Sequence, residues 1–336
     1  MKPRNITFDL MRGIALILMM LCHLVDVPNG IQRFIYSFHI PLFFIISGYF
    51  AKNIEKEQSF RVYTLKNVKR LIIPYVVTML MLCAWGLIQT IAKQDSSCLI
   101  RHLLTLLLST SYEWYSEWGL INVGPMWFLI ALFWTREIFY GLQYAFQNLK
   151  NHKDECVLGV SVILSIISTI IHNYIPQIPY CLLQGVTALP FYTIGWYVHR
   201  HPQPWWVYGL CVSIWPLAFI YGFIGLYSCT IKIYPLSFLG ACGGTYVIYL
   251  LCKGWTSILQ LVYNKFPTLH IVSPLSWCGL YSLPILCMHT FELHSDIFWS
   301  LMCRMPVCGE HIWGGGLAIL LAYIIIKIPI LKDVYT

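Results

Sequence analysis

Charge is what this 336-residue chain has least of. Asp, Glu, Lys and Arg together make 11% of it, against about 25% in soluble domains. That scarcity excludes a sizeable water-soluble domain. No basic stripe alternates with exposed aromatics, which argues against a nucleic-acid partner. Thirteen cysteines are present but no CxxC pair, so a metal or redox centre is not expected and buried free thiols are. A disulfide between Cys303 and Cys308, or one using Cys98, stays open if those loops face an oxidising compartment. There is no zinc motif, P-loop or glycine-rich nucleotide fingerprint. Internal repeats, heptads and low-complexity linkers are also missing, so residues 1–336 read as one domain. Asp9 and Arg12 interrupt the first apolar run, and no small-x-small site follows it. A retained first helix is therefore expected in place of a cleaved leader.

What the chain has is apolar sequence in long runs: 58% hydrophobic residues, with 16% aromatic. Apolar windows fall at 10–27, 33–51, 71–92, 99–111, 125–143, 157–173, 180–198, 205–222, 235–252, 277–294 and 312–331. The 99–111 window is short of the roughly 20 residues a crossing needs and is expected to be a re-entrant or interfacial helix. The fold class is thus an all-α polytopic membrane bundle of about ten transmembrane helices, with both termini cytoplasmic. In that topology Arg33, Lys93, Arg101, Lys232 and Arg304 lie outside, and the other 17 of the 22 Lys and Arg residues lie inside, the bias that sets orientation. In the outer loop, Tyr112 to Trp118 carries two carboxylates among aromatics. It suits an interfacial belt first and a sugar-stacking surface second.

Ionisable groups inside apolar runs are costly, and so are candidate functional sites. Asp9, Arg12 and His23 share a helical face: Arg12 and His23 are offset by about 20°, Asp9 and His23 by about 40°. The rise from Arg12 to His23 is about 16 Å, which sets a guanidinium near one surface below an imidazole nearer mid-membrane. An end-marking Arg12 paired with Asp9 is the plain reading. It leaves His23 unexplained, and a buried neutral imidazole can take and return a proton. His39 follows a short outer loop at a similar level, where it can share that role or simply hydrogen-bond a backbone carbonyl. Ser47 and Gly48 suit close helix packing.

Further along, His289 and Glu292 stand at i,i+3 on one helix face, with His294 closer to water. Trp127 opens a helix behind Gly124-Pro125, as a belt anchor or a substrate contact. Lys66, Lys69 and Arg70 lie just inside the membrane. Alone they read as topology signals; beside a reactive core they could hold the phosphates of a coenzyme. Gly314 to Gly316 begins the last run and suits packing.

Phe8-Asp9-Leu10-Met11-Arg12-Gly13, the eleven-residue step to His23, and Ser37-Phe38-His39-Ile40-Pro41-Leu42 through Ser47-Gly48-Tyr49-Phe50 together resemble the membrane acyltransferase family 3. The branch they are most similar to is that of fucose 4-O-acetylase and related acetyltransferases. Arg70-Leu71-Ile72-Ile73-Pro74-Tyr75, Trp127-Phe128-Leu129 and His289 extend the likeness over nearly the whole chain. The resemblance implies a ten-helix enzyme of the bacterial plasma membrane. It would move acetyl from cytosolic acetyl-CoA, without a metal, onto a hydroxyl of a surface or exported carbohydrate. It maps the family's first-helix Arg and His onto Arg12 and His23. Of the family's paired arginines below the third helix, Arg70 matches the second, while Asn67 holds the place of the first. Asp9 and His39 are expected to support catalysis, Arg70, Lys69 and Lys66 to meet the donor, and Trp127, His289 and Glu292 to meet the acceptor. A transporter passing substrate or protons along the histidines is the rival reading, and no inverted repeat favours it.

Overall fold

The computed structural model describes residues 5–23, 27–53, 59–93, 97–109, 123–175, 178–265, 273–294 and 314–335. Residues 110–122, 266–272 and 295–313 are among those not described, so the Tyr112–Trp118 stretch, Cys303 and Cys308 lie outside the description, as do the side chains of Cys98 and His294. The described cysteines are all free thiols.

The chain folds as a bundle of helices. Helix α1 (Ile6–Cys22) starts at Asn5, whose side-chain oxygen accepts from the Thr7 N–H at 3.1 Å, satisfying one of the first turn's orphan donors. It begins earlier and ends earlier than the apolar window, so His23 caps the helix and does not sit within it. The second expected span is two helices, α2 (Asn29–Tyr36) and α3 (His39–Tyr49). Pro41 explains the break: its ring conflicts with the carbonyl four residues back, at Ser37, where the helix would have to run through. The 277–294 run divides in the same way. Helix α12 (Pro274–Leu280) stops before α13 (Ser282–His294), with Pro284 as the third residue of the new helix.

Helix α4 (Phe60–Asn67) runs through a widened π turn (Val68–Ile72) into α5 (Ile73–Lys93). Pro74 cannot donate to the Arg70 carbonyl, and the wide turn absorbs that defect. The short 99–111 window is helix α6 (Ser97–Leu108), packed on α5. A 3₁₀ turn (Gly124–Met126) then leads into α7 (Trp127–Ala145). Gly124 has φ +56°, a left-handed conformation suited to glycine.

Helix α8 (Lys153–Tyr174) shows how the bundle is solvated. Ser161, Ser165 and Ser168 are buried against α9 (Leu182–Arg200), where Ser165 and Ser168 donate to the Thr187 and Leu183 carbonyls at 2.8 and 2.9 Å. Ile163, Ile166, Ile167 and Ile170 on the other face are exposed. Small polar residues inside and branched apolar residues outside is the arrangement of a helix facing lipid. Helix α9 is buried around most of its circumference and packs on α3, α7 and α8. It crosses α3 so closely that a Cβ on Gly48 would collide with the Tyr192 carbonyl, and one on Gly195 with the Ile45 carbonyl. Gly13 and Gly279 make the same kind of reciprocal contact between α1 and α12.

Helix α10 (Trp205–Tyr221) is followed by a small antiparallel hairpin, β1 (Phe223–Gly225) and β2 (Thr230–Lys232), with Ile224 opposite Ile231. The purely helical expectation did not include it. Helix α11 (Tyr234–Lys265) returns along α10, and α14 (Gly314–Ile325) packs on α13. The last helix, α15 (Pro329–Tyr335), reaches α5, where the Tyr335 hydroxyl meets Thr78 Oγ1 at 2.9 Å. Among the described residues, three stretches are long and apolar enough to cross a membrane: Phe60–Ala92, Lys153–Tyr174 and Tyr234–Leu261. The other expected crossings are shorter, interrupted or, like the 19-residue α7 and α9, long enough but less apolar.

Candidate functional site

A cavity of about 520 Å³ opens between α1, α3, α7 and α13, within the roughly 300–1,000 Å³ range of small-molecule sites. Its walls follow from helical spacing. Arg12, Leu16, Met19 and His23 line it from α1, His39, Phe43 and Ser47 from α3, and Phe128, Leu132 and Arg136 from α7. Each set advances by three or four residues, one face of a helix. Because α1 and α3 run antiparallel, His23 and His39 gather at one end, with Arg12 and Ser47 at the other. Arg70 and Arg136 join Arg12, so three guanidiniums serve one end of the cavity and imidazoles the other.

The basic end is built on α1, the π turn and α7. Asp9 is buried and holds Arg12 by an ion pair, Oδ1 to Nη1 3.5 Å, as the i,i+3 spacing predicts. The backbone of Asp9 is in turn locked against Gly279. The Arg12 guanidinium also lies over the Phe50 ring, 5.6 Å from its centroid. Arg70 and Arg136 are close enough to repel one another. Lys66 and Lys69 are exposed and do not line the cavity. Arg136, which the topology bias marked only as an inward-side charge, stands where those lysines were expected. Phe128, Leu132 and Arg136 recur at i, i+4 and i+8, but that spacing alone does not separate Arg136 from a charge that merely marks a helix end.

At the other end His23 is exposed to the cavity and its ring centroid lies 5.5 Å from that of His289, the planes tilted by 55°. His289 and Glu292 are both buried, with Nδ1 to Oε2 at 3.1 Å. His39 is buried in the cavity wall and its Nδ1 lies 2.7 Å from the Ile35 carbonyl. A carbonyl can only accept, so Nδ1 carries the proton and Nε2 keeps its lone pair. Trp127 is buried in the cavity wall and is not a lipid-facing belt residue. Tyr36, Tyr227 and Ser282 also face the cavity. The hairpin brings in Tyr227, and the helix break before α13 brings in Ser282; neither had a signal in apolar periodicity.

Chemically, one end of this cavity can hold an anion and the other can exchange protons, with apolar walls between. A family model described as an acyltransferase domain matches residues 5–328. The chain belongs to this acyltransferase family. Nodulation protein NolL of Sinorhizobium fredii (strain NBRC 101917 / NGR234) is 30% identical over 205 residues, 57% of this chain and 48% of NolL. The chain thus spans about half the length of that curated relative. No solved structure matches. The match assigns the chain to a family described by its acyltransferase domain, and the apolar helices with their outward-facing isoleucines mark a membrane protein.

Proposed function

We propose that the protein transfers an acetyl group from acetyl-CoA to a hydroxyl of a cell-surface or exported carbohydrate. The observation that carries this reading is one cavity with guanidiniums at one end and histidines at the other. A coenzyme's phosphates match arginine geometry and charge. The rise of about 16 Å from Arg12 to His23 is a span that the long, flexible arm of the thioester can bridge. His23 takes the proton of the acceptor hydroxyl as the oxygen attacks the thioester carbonyl. The C–S bond then breaks, the thiolate leaves, and the imidazolium returns the proton to it. His289, held by Glu292, sits beside His23, and His39 offers Nε2 at the same end. In a variant of this route His23 first receives the acetyl group and then passes it on; ping-pong kinetics would distinguish that relay from direct transfer. Trp127 and Tyr227 supply flat surfaces for a sugar ring. The reading takes ten crossings of a bacterial plasma membrane, with both termini and the arginine end on the cytoplasmic side.

Surface glycans of cells producing the native protein should gain the mass of one acetyl group, and His23→Ala cells should not. Because His23 faces open space, the variant's stability should stay within about 0.5 kcal/mol of native. Carbohydrate that carries no label from labelled acetyl-CoA, or full activity in His23→Ala, would overturn the proposal.

A further inference from the structure

Arg136 is held by a network that keeps its charge available. Its Nη1 donates to Asn67 Oδ1 at 3.3 Å, and Asn67 Nδ2 donates to Glu137 Oε1 at 2.7 Å. The second oxygen of Glu137 accepts from Thr64 Oγ1 at 2.7 Å. Tyr63 adds a hydroxyl bond to the Arg136 carbonyl at 3.3 Å. Asn67 and Glu137 are both buried. The carboxylate next to Arg136 in sequence is therefore directed at α4, and a neutral amide stands between it and the guanidinium. A carboxylate directly on Arg136 would neutralise it; an amide orients it and leaves the charge in place.

One further observation points to an anionic ligand. Arg70, Arg136 and Arg12 share one end of the cavity; Asp9 pairs with Arg12 from behind the wall, and no carboxylate lines the cavity itself among the described residues. Like charges gathered in a partly desolvated site repel, and an entering anion relieves that repulsion.

We propose that Arg136 is a donor-recognition residue that contacts the phosphate groups of acyl-coenzyme A, and that Asn67 is a positioning residue that aims Arg136 while insulating it from Glu137. The inference rests on the acetyl-CoA reading above. Neither residue touches the reacting carbonyl, so both set how tightly phosphate-bearing donors bind.

The test measures binding of acetyl-CoA and of S-acetyl-pantetheine, the same thioester without phosphates, to the full chain in lipid nanodiscs. The native protein should bind acetyl-CoA far more tightly than S-acetyl-pantetheine. Arg136→Ala should weaken acetyl-CoA binding about 10- to 100-fold, the size of a lost charged hydrogen-bond contact, and leave S-acetyl-pantetheine unchanged. Arg136→Lys keeps the charge but not the planar fork, so it should give a smaller loss; it also stands in if Arg136→Ala fails to fold. Asn67→Asp, which would place a carboxylate on an intact Arg136, should also weaken acetyl-CoA selectively. A purely structural role would weaken both thioesters alike. Native preference for acetyl-CoA kept in full by Arg136→Ala and Arg136→Lys would overturn the role of Arg136 and spare the donor assignment. A native protein that binds neither thioester would overturn both.

Discussion

At His39 one hydrogen bond decides which ring nitrogen is available. The Ile35 carbonyl takes the proton of Nδ1, leaving Nε2 for the cavity. The packing role and the chemical role considered for this residue thus coexist in one ring. His39→Asn keeps a donor near the Nδ1 position and removes Nε2. It is expected to fold with a loss of about 1 kcal/mol or less and to lower turnover on the order of 100-fold, the lower end for acid–base groups. Turnover at the native level would make the residue structural. Glu292 acts one step back: Glu292→Gln can still accept from His289 but carries no charge. Its turnover should fall while donor binding, measured with acetyl-CoA, stays unchanged, because the cavity separates it from the arginines. Asp9 and Arg12 were legible from i,i+3 spacing alone. Arg136 was not, because an arginine near an inward-side helix end satisfies the topology rule without further explanation.

Helices set these residues at their heights through close crossings and breaks. Gly48 and Gly195 let α3 and α9 touch backbone to backbone, and α3 carries His39, Phe43 and Ser47 into the cavity. Gly48→Ala should force the helices apart, destabilising the protein by about 1–3 kcal/mol and lowering activity through displacement of α3. Gly209 on α10 has open space where a Cβ would go. Gly209→Ala should be neutral or stabilising by up to about 1 kcal/mol. Thermal unfolding of the two variants in the same detergent compares them directly; equal melting temperatures would refute the crossing argument. Pro41, Pro74 and Pro284 divide or widen helices that apolar windows show as continuous. Hydropathy cannot register them because proline acts through a missing N–H and a steric clash, neither of which changes the average apolarity of a window.

Across the whole molecule, function depends on the two ends of the cavity staying connected. Met19 lies on α1 between Arg12 and His23, at the same wall. Met19→Trp would fill the passage there. Such a variant should still bind acetyl-CoA at the arginines and lose acetyl transfer; transfer at native rates would mean the substrates meet elsewhere. The amino-acid sequence by itself determined the membrane character, the shared face of Asp9, Arg12 and His23, the His289–Glu292 pair and the family. Each of these is local: composition, a spacing within one helix, or a contiguous motif. The tertiary structure decided the rest. It chose Arg136 over Lys66 and Lys69 as the partner of Arg70, brought Tyr227 in on a hairpin, and set His289 beside His23 across more than 260 residues of chain. Those juxtapositions depend on how separate helices cross, and crossings are fixed by glycine contacts and proline breaks between elements far apart in sequence. No periodicity within a single helix encodes them.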